Sequence, residues 1–425
     1  MQVQVLTSIP DLPALAAQCP DRCPVLLQSS GNSGWDILMA LPGERRVYHD
    51  ADAFLADLDT LPVHEGAGGE LPFAGGWAVY AGYELLNAFE PSVPARTSAS
   101  PVAALIRCPA AVLVDRASQR GYLVAESATQ LAELADLVAA PIAWQPRPLV
   151  VAAVAEDEPQ AFVDGVLASK RYIVEGDVFQ VNLSRGWDVT LTHGDAHDLY
   201  AALRAANPAP FSALFDLGES QIVSSSPERL VRVRDGIVDT RPIAGTHRRS
   251  NDPEEDAALK RALISTVKER AEHIMLVDLE RNDLGRIAVP GSVEVDELMA
   301  VASYAYVHHI ESNIRARLRP GTTARQILRA LFPGGTITGC PKVRCMQIIR
   351  ELEDRERGVY TGSLGYIGLD GRMDLNILIR SFLQTGETLY FRAGAGIVAD
   401  SVPERELEET RHKARGLLRA LGVAG

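Results

Sequence analysis

Two pairs of glutamates have the spacing to gather carboxylate oxygens around one hard cation. Glu269 and Glu272 are three residues apart in Lys268-Glu269-Arg270-Ala271-Glu272-His273, so they are neighbours on one helix face. Glu406 and Glu409 repeat the arrangement near the C-terminus and share their side with Lys413. The apolar stripe expected on the first helix is Ile264, Val267, Ala271 and Ile274, which puts its carboxylates on the opposite side. On the second, Leu407, Arg411, Ala414, Leu418 and Leu421 mark the other side. Spacing leaves two readings open. Either both acidic faces are solvated, as on most surface helices, or the helices meet across a cleft and hold magnesium. That ion takes one or two carboxylates together with the oxygens of an anionic substrate.

Other residues carry weaker signals. The run from Phe332 to Lys342, FPGGTITGCPK, is a Gly- and Thr-rich turn before a helix, where backbone N–H groups can meet an anion. It lacks the Gly-Lys-Ser/Thr order of a P-loop, and turn-forming glycines are the plainer reading. Phe391-Arg392-Ala393-Gly394-Ala395-Gly396 ends a strand with glycines, which predicts close backbone approach to a ligand or another strand. Ser401-Val402-Pro403-Glu404 has the form of a helix cap with its box glutamate. His308 and His309 are adjacent and point apart, so one functional and one structural histidine is expected. Arg380, ending a strand pattern, could fork onto a carboxylate or simply form a surface ion pair. Cys19 and Cys23 have no second ligand pair at metal spacing.

These residues need elements to hold them. Helical patterns cover Ala161–Glu175, Glu254–Glu280, Thr323–Phe332, Lys342–Glu353 and Pro403–Leu421, and strand patterns include Pro24–Ser29, Val112–Val114 and Val178–Trp187. Three hairpins are signalled. Leu230–Arg234 and Ile237–Ile243 flank Asp235-Gly236, Tyr366–Leu369 and Arg372–Ile379 flank Asp370-Gly371, and Leu378–Gln384 and Glu387–Gly394 flank Thr385-Gly386. Antiparallel ladders with helices in blocks predict an α+β fold rather than a doubly wound parallel sheet. Ala139–Pro159, with Pro141, Pro146, Pro148 and Pro159, reads as the linker between an N-terminal region, 1–145, and a second region, 160–421.

Composition sets outer bounds. The 425 residues are 47% hydrophobic and 23% charged, a balance suited to a folded core. A net charge of −13 gives no reason to approach nucleic acid or an anionic membrane. It also means that an anionic substrate needs a locally basic pocket or a bound cation. Five scattered cysteines do not form a disulfide framework, and no signal peptide or membrane span is evident, so the chain reads as cytoplasmic.

Read together, these segments resemble the chorismate-utilising enzymes: anthranilate, aminodeoxychorismate, isochorismate and salicylate synthases. The resemblance runs from about Ala161 to Leu421, with a weaker part near the N-terminus. It is carried by Gly176–Ser184 (GDVFQVNLS), Ser226-Pro227-Glu228-Arg229, Pro242–Thr246 (PIAGT) and Met275–Gly285 (MLVDLERNDLG). Phe332–Lys342, Ala393–Gly396 and Glu406–Lys413 complete it. It implies a large α/β sandwich of two antiparallel sheets flanked by helices. It also implies that Glu272 and Glu409, with Glu269 and Glu406 beside them, hold Mg²⁺ against the ring carboxylate of chorismate. Tyr360, Arg380, Gly396 and Lys413 then match substrate contacts, with Ala244, Gly245, Thr246 and Thr336 lining the same pocket. Glu228 matches the acid that protonates the leaving C4 hydroxyl. His309 matches the base that removes the C2 proton when pyruvate is eliminated, and relatives that keep pyruvate can carry it too.

The water-using relatives have Lys where this chain has Gln180, which points to ammonia as nucleophile. Addition at C4 gives aminodeoxychorismate, for 4-aminobenzoate and folate synthesis; addition at C2 gives anthranilate. Leu26-Leu27-Gln28-Ser29 with Trp35-Asp36-Ile37, and the FPGGTITG order, are similar to aminodeoxychorismate synthases. Anthranilate synthases usually have Glu in place of Gln28, where it helps bind inhibitory tryptophan. Ala244 points the other way, because many aminodeoxychorismate synthases have Lys there. No amidotransferase segment is evident, so a separate glutamine amidotransferase subunit is expected to supply ammonia. A catalytically silent chorismate-binding paralogue is the alternative of another class.

Overall fold

The computed structural model describes residues 1–63, 69–250, 252–303 and 307–423. Val25–Gln28 shows how the sheets are built. Val25 and Leu26 are both fully buried, yet they point to opposite faces and enter different clusters, because strand side chains alternate. A strand covered on both faces reads as an apolar run rather than alternating, as in residues 37–40 and 110–114.

Among the described residues the strands form two sheets, antiparallel throughout. The first has twelve strands. It runs from Gln2–Val5 through Arg120–Ala125, Ala110–Asp115, Trp35–Ala40, Val25–Gln28, Phe211–Asp216 and Gln221–Ser226. It continues through Ser381–Thr385, Thr388–Ile397 and Gln180–His193 to Gly339–Cys340, with Val150–Glu156 also on Gln180–His193. The second has ten. It runs from Ile243–Arg248 through Val307–Arg317, Ile237–Arg241, Arg229–Arg234, Met373–Asn376, Ser363–Gly368, Gly76–Ala81 and Ala103–Cys108 to Arg45–Tyr48, with Glu294–Ser303 on Val307–Arg317. Val25, Met39, Tyr80, Ile106, Phe215 and Leu364 fill the space between the sheets. Helices cover the outer faces, Leu12–Gln18 and Pro403–Ala420 on the first and Ala324–Leu331 on the second, while Lys342–Leu352 lies against Gln180–His193 and Gly339–Cys340 at the end of the first. This is the α+β sandwich of two antiparallel sheets that the resemblance implied.

The three hairpins form where turn chemistry placed them. Asp235 and Gly236 have φ of 54° and 75°, Gly371 78° and Gly386 58°. Other expectations need correcting. The pattern over Glu254–Glu280 breaks at Thr266, whose backbone is extended, into helices Pro253–Ser265 and Val267–Gly285. A third of the linker is the strand Val150–Glu156. Strands from 1–145 and from 160–421 share both sheets. Ser401 does not cap the last helix. Val402 holds the cap position without a side-chain bond, while the Ser401 hydroxyl accepts from the Val398 N–H.

Candidate active site

Glu228 and Arg380 lie where the chain crosses between the sheets. Glu228 separates Gln221–Ser226 of the first sheet from Arg229–Arg234 of the second, and Arg380 follows Met373–Asn376 of the second and precedes Ser381–Thr385 of the first. The two crossings are laced together. The Ile377 N–H donates to the Glu228 carbonyl (3.0 Å) and the Ser225 N–H to the Arg380 carbonyl (3.1 Å). Arg380 adopts φ 54°, a left-handed conformation that costs a side-chain-bearing residue roughly 1–2 kcal/mol. Such strain tends to sit at functional positions. Among the described residues the half-buried guanidinium makes no hydrogen bond or ion pair. Loss of hydration pulls its pKa below the usual arginine value, with Glu228 opposing. A guanidinium held this way suits the fork of an arriving carboxylate.

Glu228 is 5% exposed. Burial pushes its carboxyl up to about 8; the Thr336 hydroxyl and the Ile243 N–H pull it down, and Glu280 and Glu311 push it up. It is therefore mostly protonated at neutral pH and able to give a proton.

His309 faces the same region from Val307–Arg317, paired with Thr246 across the ladder. Its Nδ1 lies 3.2 Å from the Gly245 carbonyl. If that nitrogen carries the proton, Nε2 is left as the base. Burial, then Arg380, brings the imidazole down to about 4, so it is neutral at pH 7. His308 points the other way, to Asp256 (3.0 Å) and Ser303 (2.8 Å), so the two adjacent histidines have separate surroundings. Ala244 is buried in the adjoining strand, and the side chain of Thr246 lies outside the described residues. At Gly245 the ladder slips and φ is 61°. A Cβ there would stand 1.8 Å from a Glu269 oxygen, so glycine lets that carboxylate close on the backbone.

Glu272 and Glu409 both trace to the strand Thr388–Ile397. Glu272 accepts from Gln180 Nε2 at 2.8 Å, and that nitrogen would lie 2.4 Å from a Cβ at Gly396. Lys413 Nζ donates to the Gly394 carbonyl at 3.0 Å and stands 3.5 Å from Glu409. A Cβ at Gly394 would meet the Tyr360 hydroxyl at 2.6 Å and the Leu183 carbonyl at 2.7 Å. Close approach to the backbone of a neighbouring strand is thus why 394 is glycine, whereas Gly396 meets only the side chain of Gln180. Tyr360 is buried, and burial raises its hydroxyl to about 12. Glu406 is half-buried on the same helix as Glu409. The donors suit a hard cation, being carboxylate oxygens without sulfur. Among the described residues no three His, Cys, Asp or Glu side chains group to hold a metal. A cation shared by Glu272 and Glu409 would take its other ligands from substrate and water.

The expected apolar stripe of Val267–Gly285 is inverted. Ile274 is 50% exposed and Ile264, on the preceding helix, 39%, while the Val267 side chain lies outside the described residues. The buried side carries His273, Leu276, Leu279, Glu280 and Asp283, with Glu269 and Glu272 half-buried beside them. The glycine turn after Phe332 is fixed by a lysine. Lys342 Nζ contacts Asp283 (2.5 Å) and the carbonyls of Leu331 (3.3 Å) and Pro333 (3.1 Å).

Three residues went unseen in the sequence as a set. Glu353 bonds Arg357 (2.6 Å) and Arg392 (2.9 Å), and burial, which would raise its pKa, is outweighed by the two guanidiniums. Two cations for one anion leave a net positive charge beside Tyr360. Glu353 and Arg357 are an i,i+4 pair that spacing could have suggested, but Arg392 joins them from a distant strand and no spacing announces it. Separately, a cavity of about 650 Å³ between the sheets is lined by Gln28, Ser29, Phe211, Arg229 and Tyr366, among others. Gln28 there is held by Asp36 (3.0 Å) and Tyr200 (2.9 Å).

Two antiparallel sheets flanked by helices, with Glu228 and Arg380 at the sheet crossings and His309 in a neighbouring strand, define the class as an α+β sandwich. The comparisons give the family: residues 25–419 match the chorismate binding enzymes, and the chain belongs to that family. It is 48% identical over 265 residues to anthranilate synthase component 1 of Aquifex aeolicus, covering 62% of this chain and 53% of that one. Over 263 residues it is 49% identical to aminodeoxychorismate synthase component 1 of Bacillus subtilis, covering 62% and 56%. The chain thus spans just over half the length of these two relatives. The crystal structure of anthranilate synthase component I from Streptococcus pneumoniae superposes with a TM-score of 0.80 at 33% identity, covering 91% of this chain and 93% of that one.

Proposed function

We propose that this chain aminates chorismate at C4, with Mg²⁺, as the synthase component of an aminodeoxychorismate-forming pair whose glutamine amidotransferase subunit supplies ammonia. The observation that carries the amination reading is Glu228, buried and protonated across from Arg380. Arg380 and Lys413 hold substrate carboxylates, with Tyr360 beside them. Glu228 gives its proton to the C4 hydroxyl, so that the C–O bond breaks to release water rather than hydroxide. Ammonia takes the vacated position. Bound at Glu272 and Glu409, with Glu269 and Glu406 behind them, the cation would offset the charge of the ring carboxylate. Gln180, an amide and not an amine, supports a nucleophile other than water.

Gln28 in Leu26–Ser29 favours C4. Ala244 favours the second reading, anthranilate formation, in which His309 takes the C2 proton as pyruvate leaves. Relatives of both names stand within one per cent of each other in identity, 48% and 49%. Incubation with chorismate, Mg²⁺ and ammonium at raised pH separates the two. We expect a product that an added lyase converts to 4-aminobenzoate. Fluorescent anthranilate as the main product selects the second reading, and tight chorismate binding without turnover selects a silent paralogue.

A further inference from the structure

Behind Glu228 lies a second buried carboxylate that the mechanism does not use. Glu280, on Val267–Gly285, is 5% exposed. Its Oε2 accepts from the Thr240 hydroxyl at 2.6 Å, and Thr240 is itself fully enclosed. On its other side the carboxylate faces the turn at Gly335, whose backbone amide lowers its pKa against the rise caused by burial. A Cβ at Gly335 would lie 3.5 Å from Glu280 Oε1 and 2.6 Å from Leu279, so the turn packs directly on this helix. The turn also packs on the Glu228 crossing: a Cβ at Gly334 would lie 2.7 Å from the Ile377 side chain, and the Ile377 N–H donates to the Glu228 carbonyl.

Resting on the assignment of Glu228 as the acid, we propose that Glu280 is a positioning residue. It anchors the Gly335-Thr336 turn against the crossing that carries Glu228, and its charge opposes ionisation of that acid. The groups facing Glu228 are Glu280, Glu311 and Arg380, with His309 beside Arg380; those facing Glu280 are Asp283 and Lys342. An uncharged residue at 280 removes one nearby anion, so Glu228 loses its proton at lower pH. Activity needing protonated Glu228 then fails earlier as pH rises.

The test is kcat and KM against pH for wild type, E280Q, E280A, T240V and E228Q, with the thermal melt of each. We expect E280A to lower kcat on the order of 10-fold, with chorismate KM changed less than about 3-fold. E280Q should move the alkaline limb of kcat to lower pH, while T240V, which keeps the charge, should lower kcat with a smaller shift of that limb. If E280A does not fold, the isosteric E280Q and T240V decide the matter. Wild-type kcat and an unmoved limb in both would overturn the proposal. Wild-type activity in E228Q would instead overturn the assignment of the acid itself.

Discussion

Arg380 combines a left-handed backbone with a guanidinium that meets no partner among the described residues. Lysine at this position would keep the charge but lose the planar fork. R380K should therefore raise the chorismate KM by about 10-fold, or about 1.4 kcal/mol, with the melting temperature nearly unchanged. Steady-state kinetics and a thermal melt check this; an unchanged KM would mean that Arg380 does not hold substrate. Glu228 and His309 work the same way, each tuned by burial before any partner. The carboxyl is pushed up and the imidazole down, so both are neutral at pH 7.

Helix Val267–Gly285 links residues to elements. Its buried side is a mixed stripe, with Glu280 and Asp283 among leucines, and each acid meets a partner from another element. Lys342 lies 9% and Asp283 4% exposed, and the same amine holds the carbonyls that open the glycine turn. Removing one member of a buried pair strands the other charge, at a cost of about 3–5 kcal/mol. K342M should lower the midpoint of urea unfolding accordingly and also reduce kcat, because the turn carries Thr336. Loss of stability with full kcat would show that the turn keeps its place without the lysine. Periodicity could find this helix but not its orientation, since hydropathy ranks Ile274 above Glu280 as a core residue. Only partners brought in from Ile237–Arg241 and from the turn after Phe332 reverse that ranking.

Across the whole molecule, the buried acids make folding depend on pH. Glu228 and Glu280 have folded values of about 8 and about 7, above the usual carboxylate value. The unfolded chain therefore releases these protons first, and the stability they confer is present at low pH and lost as pH rises towards 8. His309, lowered to about 4, acts oppositely, and its contribution is already complete above about 6.5. The melting temperature should fall between pH 6.5 and 8, and fall less in E228Q and in E280Q. A flat or rising profile in wild type would contradict this.

Turn chemistry, helix periodicity and the order of motifs are local properties, and they determined the three hairpins, the helix from Pro403 and the family itself. Gly394 and Gly396 could be read as close approaches because two glycines ending a strand have few other uses. What each approach is made to was decided elsewhere: Tyr360, Leu183 and Gln180 arrive from other strands and loops. The tertiary structure alone decided which side of Val267–Gly285 is inside, that the Val150–Glu156 stretch is a strand, and that Glu353 sits between Arg357 and Arg392. It also brought Glu228 and Arg380 together at two sheet crossings about 150 residues apart in sequence. The physical reason is that burial and charge pairing are properties of a neighbourhood, and neighbourhoods exist only once distant segments have packed.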